Sequence, residues 1–172
     1  MWMEANIAAD FQPLTMYNYI LEYLPYKSSF RFVDDIISLD ENGVTGNYTL
    51  KKDSFFYEDH FPGYPVTPGV IIAEIMAQIG LVVLGIYLIL NTSEKIKISE
   101  GENIFPLLTS TEISFYKMVL PGEKVTVISK KQYFRFNNLK CYIEMMNEEG
   151  ELIAKGMFSG IIKNIQQNQM PI

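Results

Sequence analysis

A chain of 172 residues, 48% of them hydrophobic, has enough apolar material for one domain with a substantial core and too little length for two ordinary domains. Its formal net charge of -6 argues against a general polyanion binder, because proteins that track phosphates concentrate Lys and Arg, so nucleic acid is not an expected partner. The single cysteine, Cys141, cannot close an internal disulfide, and no charged stretch with a short apolar run and cleavage site opens the chain, so a reducing cytoplasm fits.

Residues 1–14 lack strong periodicity and read as an N-terminal extension of a single domain spanning 1–172. Thr15 can cap a short helix in which Tyr17, Ile20, Leu21 and Leu24 share a face, and Pro25 ends it. Residues 30–39 read as a strand, Asp40-Glu41-Asn42-Gly43 as a turn, and 44–50 as the returning strand. Residues 51–66 combine aromatics with Pro62, Gly63, Pro65 and the only histidine, which is loop chemistry. Thr67 can cap the next helix, with Pro68 at its first position, and the helix should run to about Leu90. A polar stretch with Asn91, Thr92, Ser93, Gly101 and Pro106 follows. Strands are then expected at 107–115, 124–136, 140–147 and 152–162, punctuated by Pro121-Gly122, Asn137-Asn138 and Glu148-Glu149-Gly150. The tail from about 163 is polar and should fray or pack weakly.

One long apolar helix placed early among antiparallel strands implies an α+β domain whose sheet curls around that helix. Residues 70–90 also have the length and apolarity of a membrane span, but Glu74 and Gln78 interrupt them, and a helix wrapped by a sheet and a partner subunit has the same composition. No membrane span is expected. Aromatics at 13% and nine methionines fit either a packed core or an apolar tunnel.

The run His60 to Gly80, HFPGYPVTPGVIIAEIMAQIG, sets a lone imidazole in a Pro/Gly loop and a carboxylate inside an apolar helix. His60 read alone is as well a loop histidine bonded to a neighbouring carbonyl. Glu74, flanked by Ala73, Ile75 and Met76, must pair, find water or hold a proton. Gln78, one turn on, can orient Glu74 or a water, or simply pack. One His and one Cys leave no plausible metal site, and no cofactor is expected.

HFPG, then P-V-x-P-G-V, then E-x-M-A-Q resembles the signature of the FabZ-type 3-hydroxyacyl-(acyl carrier protein) dehydratases. YLPYKSSFRFVDDI at 23–36 and FYKMVLPGEKV at 115–125 are similar to further family segments, so the likeness covers about 20–162. Departures are Asp59 before the histidine, Tyr26 where the family usually has His, and Tyr116 and Lys117 where it has arginines. The resemblance implies a hot-dog fold. It also implies His60 and Glu74 as the catalytic pair, Gly69 as the residue whose N–H binds the thioester oxygen, and Pro62, Gly63, Val70 and Gln78 around the substrate.

Dehydration of a 3-hydroxyacyl thioester needs a base for the α-proton, an acid for the departing hydroxyl and a donor for the charge growing on the carbonyl oxygen. Neutral His60, a protonated Glu74 and the free N–H of Gly69 would supply them. The implied partner is an acyl carrier protein, with Lys117, Lys130, Lys131 and Arg135 as candidate docking residues. The family further implies homodimers joined sheet edge to edge, which can gather as trimers of dimers, with each site built from His60 of one chain and Glu74 of its mate. A thioesterase of the same fold, or a non-catalytic acyl-carrier-binding subunit, are the competing readings. The isomerising branch of the dehydratases carries Asp where this chain has Glu74.

Overall fold

The computed structural model describes residues 13–91 and 102–166. Helix α1, Pro13–Glu22, begins two residues before the expected cap, so Thr15 lies inside it; Pro13 suits a first turn, where its missing N–H is no loss. The helix also stops before Pro25, with the Tyr23 N–H reaching back to the carbonyls of Tyr19 and Ile20. Ile20 and Leu24 are buried, and Tyr17 and Leu21 pack beside them, as the shared face requires.

The expected strand at 30–39 is shorter. Strand β1 is Asp35–Asp40, because the Phe32 N–H turns inward to Gln78 Oε1 at 2.8 Å instead of joining a ladder. Asp40 then closes the hairpin to β2, Gly43–Thr49, its Oδ1 accepting from the Asn42 and Gly43 amides at 2.7 and 3.1 Å.

The central helix, Gly69–Asn91, consists of α2 (Gly69–Ala77), a π-helical turn (Gln78–Val83) and α3 (Leu84–Asn91). Thr67 does not cap it: its hydroxyl bonds the Tyr57 hydroxyl at 2.6 Å, and Pro68 occupies the cap position with Gly69 first in the helix. The wide turn has a local cause. Gly80 lies so close to Ile143 that a Cβ would meet its Cδ1 at 2.5 Å, and the Ser129 hydroxyl donates to the Gly80 carbonyl at 2.7 Å. A side-chain donor thus serves a carbonyl in the stretch where the regular i to i−4 ladder is interrupted.

Six antiparallel strands wrap the helix in the order β1-β2-β4-β5-β6-β3. The last four are β3 (Glu102–Phe115), β4 (Lys124–Arg135), β5 (Asn138–Met146) and β6 (Leu152–Gln166). Burial in β5 alternates at every residue, with Leu139, Cys141, Ile143 and Met145 turned onto the helix. β3 and β6 are longer than expected. Pro106, read as loop, sits within β3 opposite Ile162; β3 is the edge strand, where a residue without an N–H does least harm. Residues 164–166, assigned to the tail, continue the β6 ladder against β3, while 92–101 and 167–172 lie outside the described residues. Phe136 and Asn137, with φ of 50° and 58°, form the two-residue β4–β5 turn.

The helix is wrapped more fully than its composition suggested. In its most apolar window 78% is buried within this one chain, and Ile20, Leu24, Phe32 and Val33 share one core with it. Its apolar circumference therefore does not by itself demand a second copy. Exposure is concentrated at its first turn, where Val70 is 76% accessible.

Candidate active site

The loop carrying His60 is held at several points. Phe61-Pro62-Gly63-Tyr64 is a tight turn closed by the Tyr64 N–H on the Phe61 carbonyl at 2.9 Å; Gly63 has φ of 80°, and proline followed by such a glycine is the type II pattern. Thr67 N–H donates to the Val119 carbonyl at 2.8 Å, tying the loop's end to the segment after β3.

Between these anchors His60 and Val66 bond each other twice: the Val66 N–H donates to the His60 carbonyl at 3.3 Å, and His60 Nδ1 lies 2.9 Å from the Val66 carbonyl. A carbonyl can only accept, so Nδ1 carries the proton, and in the neutral ring Nε2 presents its lone pair. The bland reading of His60 and the catalytic one are thus the same geometry. The ring is half-buried and lies against Phe61, centroids 4.2 Å apart.

Glu74 is half-buried on α2 and meets the fully buried Gln78 one turn later. Gln78 Nε2 donates to Glu74 Oε1 at 2.8 Å and to the Phe30 carbonyl at 2.9 Å, while its Oε1 accepts from the Phe32 N–H. The glutamine therefore orients the carboxylate, and the irregular segment at 30–32 holds the glutamine. Glu74 Oε2 has no hydrogen-bond partner among the described residues.

Glu74 also lines a cavity of about 180 Å³ running between the helix and strands β3, β5 and β6. Tyr26 is the other polar side chain there; the rest of the wall is apolar, including Leu81, Leu107 and Ile161. Burial, then the neighbouring Glu74 charge, hold the Tyr26 phenol protonated well above the usual tyrosine range. Sequence reading noted Tyr26 only as a departure from a family pattern, and its place in the wall depends on the path of 23–34 across the helix.

Gly69 opens the helix with its N–H unclaimed by any described backbone acceptor, and a Cβ there would lie 3.4 Å from the Phe115 ring. Val70 beside it is exposed, as are Pro62 and Gly63 in the preceding loop. His60 does not line the Glu74 cavity of its own chain. The four basic candidates do not form one local patch: Lys117 bonds the Ile153 carbonyl and Arg135 aligns with Ile161 through Asn138, roughly 25 Å apart at the usual rise per strand residue. Lys117 is also ion-paired with Glu151.

An antiparallel sheet wrapped around one long helix, with a carboxylate on that helix turned into an apolar cavity, defines a hot-dog fold, an architecture that dehydratases and thioesterases share. Residues 24–156 match the FabA-like domain. The chain belongs to the FabA-like family, and within it is a FabZ-type dehydratase. Among curated relatives, the 3-hydroxyacyl-[acyl-carrier-protein] dehydratase FabZ of Acinetobacter baylyi is 30% identical over 123 residues, covering 69% of this chain and 78% of that protein. Among solved structures, the dehydratase heterocomplex ApeI:P from Xenorhabdus doucetiae superimposes with TM-score 0.68 at 14% identity, over 87% of this chain and 93% of the other. The thioesterase HI1161 of Haemophilus influenzae gives 0.57 at 14% identity, over 93% and 96%. At such identity these two likenesses are of fold alone.

Proposed function

We propose that this dehydratase removes water from 3-hydroxyacyl groups carried on acyl carrier protein, giving trans-2-enoyl thioesters in fatty acid synthesis or in a specialised, polyene-type pathway. The observation that carries the reading is the clamp of buried Gln78 on Glu74, which leaves one carboxyl oxygen to an apolar cavity. His60 Nε2 takes the α-proton, the Gly69 N–H at the positive helix end meets the thioester oxygen, and protonated Glu74 gives its proton to the departing hydroxyl. Pro62, Gly63 and Val70 border the substrate from the loop and first helical turn.

The protein works in the cytoplasm as a homodimer, with trimers of dimers as a further assembly. Support for pairing comes from edge strand β3, with Leu107, Leu108 and Phe115 between 44% and 48% exposed, and from exposed Phe61, Tyr64 and Val70 around the loop. Each site then combines His60 of one chain with Glu74 of the other. The acidic carrier docks on positive charge along β4, at Lys130, Lys131 and Arg135, with Lys117 as a separate contact; a KM for carrier substrate that ignores Lys117→Glu and Arg135→Glu at low salt argues against docking there.

A panel of 3-hydroxyacyl carriers differing in length and unsaturation, followed for loss of the 3-hydroxyl and for thiol release, tests the assignment. Enoyl product without thiol release is expected. Thiol release alone would replace it with a thioesterase, a 3-cis product would indicate isomerisation, and no turnover at all would favour a non-catalytic carrier-binding subunit. Equal turnover across the panel would count against a specialised pathway.

A further inference from the structure

Among the described residues, only Tyr26 and Glu74 bring polar side chains to the wall of the 180 Å³ cavity. They share it without a hydrogen bond between them. Glu74 Oε1 is taken by Gln78, and among the described residues neither Glu74 Oε2 nor the Tyr26 hydroxyl has a protein partner. The Tyr26 ring leans on Phe30, centroids 6.2 Å apart, and the Phe30 carbonyl is held by the same Gln78 amide that holds Glu74. Phenol and carboxyl group are thus referenced to one buried side chain, and both line the same cavity.

We infer that Tyr26 is a second donor to the oxygen that leaves the substrate, an inference that rests on the dehydration assigned to Glu74 above. A 3-hydroxyl oxygen has two lone pairs. One can accept from the Tyr26 O–H while the other receives the Glu74 proton. In the elimination His60 removes the α-proton, the C–H electron pair becomes the C2–C3 double bond, and the C3–O bond breaks. Glu74's proton completes the water, and Tyr26 keeps its own proton while stabilising charge growing on that oxygen. Burial favours the protonated phenol, which is the form that donates. Because the donor acts on the leaving group, it contributes to the chemical step more than to ground-state binding.

Tyr26→Phe keeps the ring and removes only the hydroxyl. It should lower kcat for 3-hydroxyacyl carrier substrates by roughly 10- to 100-fold, somewhat under the loss of a charged-intermediate donor, with KM changed by no more than about twofold. A second variant guards against a purely structural loss: Tyr26→His supplies an N–H donor at the same position, and its kcat should recover part of what Tyr26→Phe loses. Wild-type kcat in Tyr26→Phe, a loss lying wholly in KM, or no recovery in Tyr26→His overturns the role of Tyr26 while leaving dehydration standing. Absence of dehydration in the wild-type protein overturns both.

Discussion

Gln78 and Glu74 stand one helical turn apart, and the amide of the first donates to Oε1 of the second at 2.8 Å while gripping the backbone at Phe30 and Phe32. A buried side chain with every polar atom engaged is costly to replace by an apolar one of the same size, here because the Phe32 N–H stays buried and unpaired. Gln78→Leu should therefore lower unfolding free energy by about 1–3 kcal/mol, from that one stranded backbone group, and lower kcat of the folded fraction as Glu74 loses its orientation. Denaturant titration with active-site-normalised kinetics checks this; stability within error of wild type would show that the clamp contributes little.

Neither His60 nor Glu74 fills the core, since both are half-buried. His60→Ala and Glu74→Ala should leave the thermal midpoint within a few degrees yet cut turnover roughly 100- to 10,000-fold. Glu74→Gln is the sharper variant. It retains shape and can still meet Gln78 but cannot donate a carboxylic proton, so near-normal kcat would reduce Glu74 to a structural residue.

His60 does not line the Glu74 cavity within one chain, which suits a site completed by a second copy. Mixing inactive His60→Ala with inactive Glu74→Ala subunits under exchange conditions should restore roughly a quarter of wild-type activity, half the dimers being mixed and each having one complete site. If verified heterodimers remain dead while wild-type exchange controls recover, the pair acts within a single chain.

Cys141 is fully buried in β5, and burial pushes its thiol up to about 11 from 9.0. Below pH 9 both folded and unfolded chains keep the proton; between 9 and 11 only the unfolded chain releases it, so stability falls as pH rises through that window. Over those two units the loss is on the order of 2–3 kcal/mol. Cys141→Ala should flatten the fall relative to wild type in urea titrations at pH 8 to 11, whatever constant offset the smaller side chain adds. Parallel curves for the two proteins would remove the thiol from the account of alkaline instability.

The apolar run 70–90, interrupted by Glu74 and Gln78, reads as a wrapped helix more than as a membrane span, and the alternation in β4 and β5 shows in their residues because both patterns are periodic and local. The HFPG and E-x-M-A-Q motifs likewise single out His60, Glu74 and Gln78 as candidates, since each motif is continuous in sequence. Elsewhere propensity lost to long-range pairing. Residues 30–34 look like strand, but Phe32 spends its N–H on Gln78, 46 positions away; Thr67 looks like a cap, but its hydroxyl goes to Tyr57. Pro106 looks like loop, and only the position of β3 at the sheet edge lets it remain in a ladder. What tertiary structure alone decided is which partners those polar groups found, and with them the placing of Tyr26 beside Glu74: a hydrogen bond between distant segments leaves no periodicity in either of them.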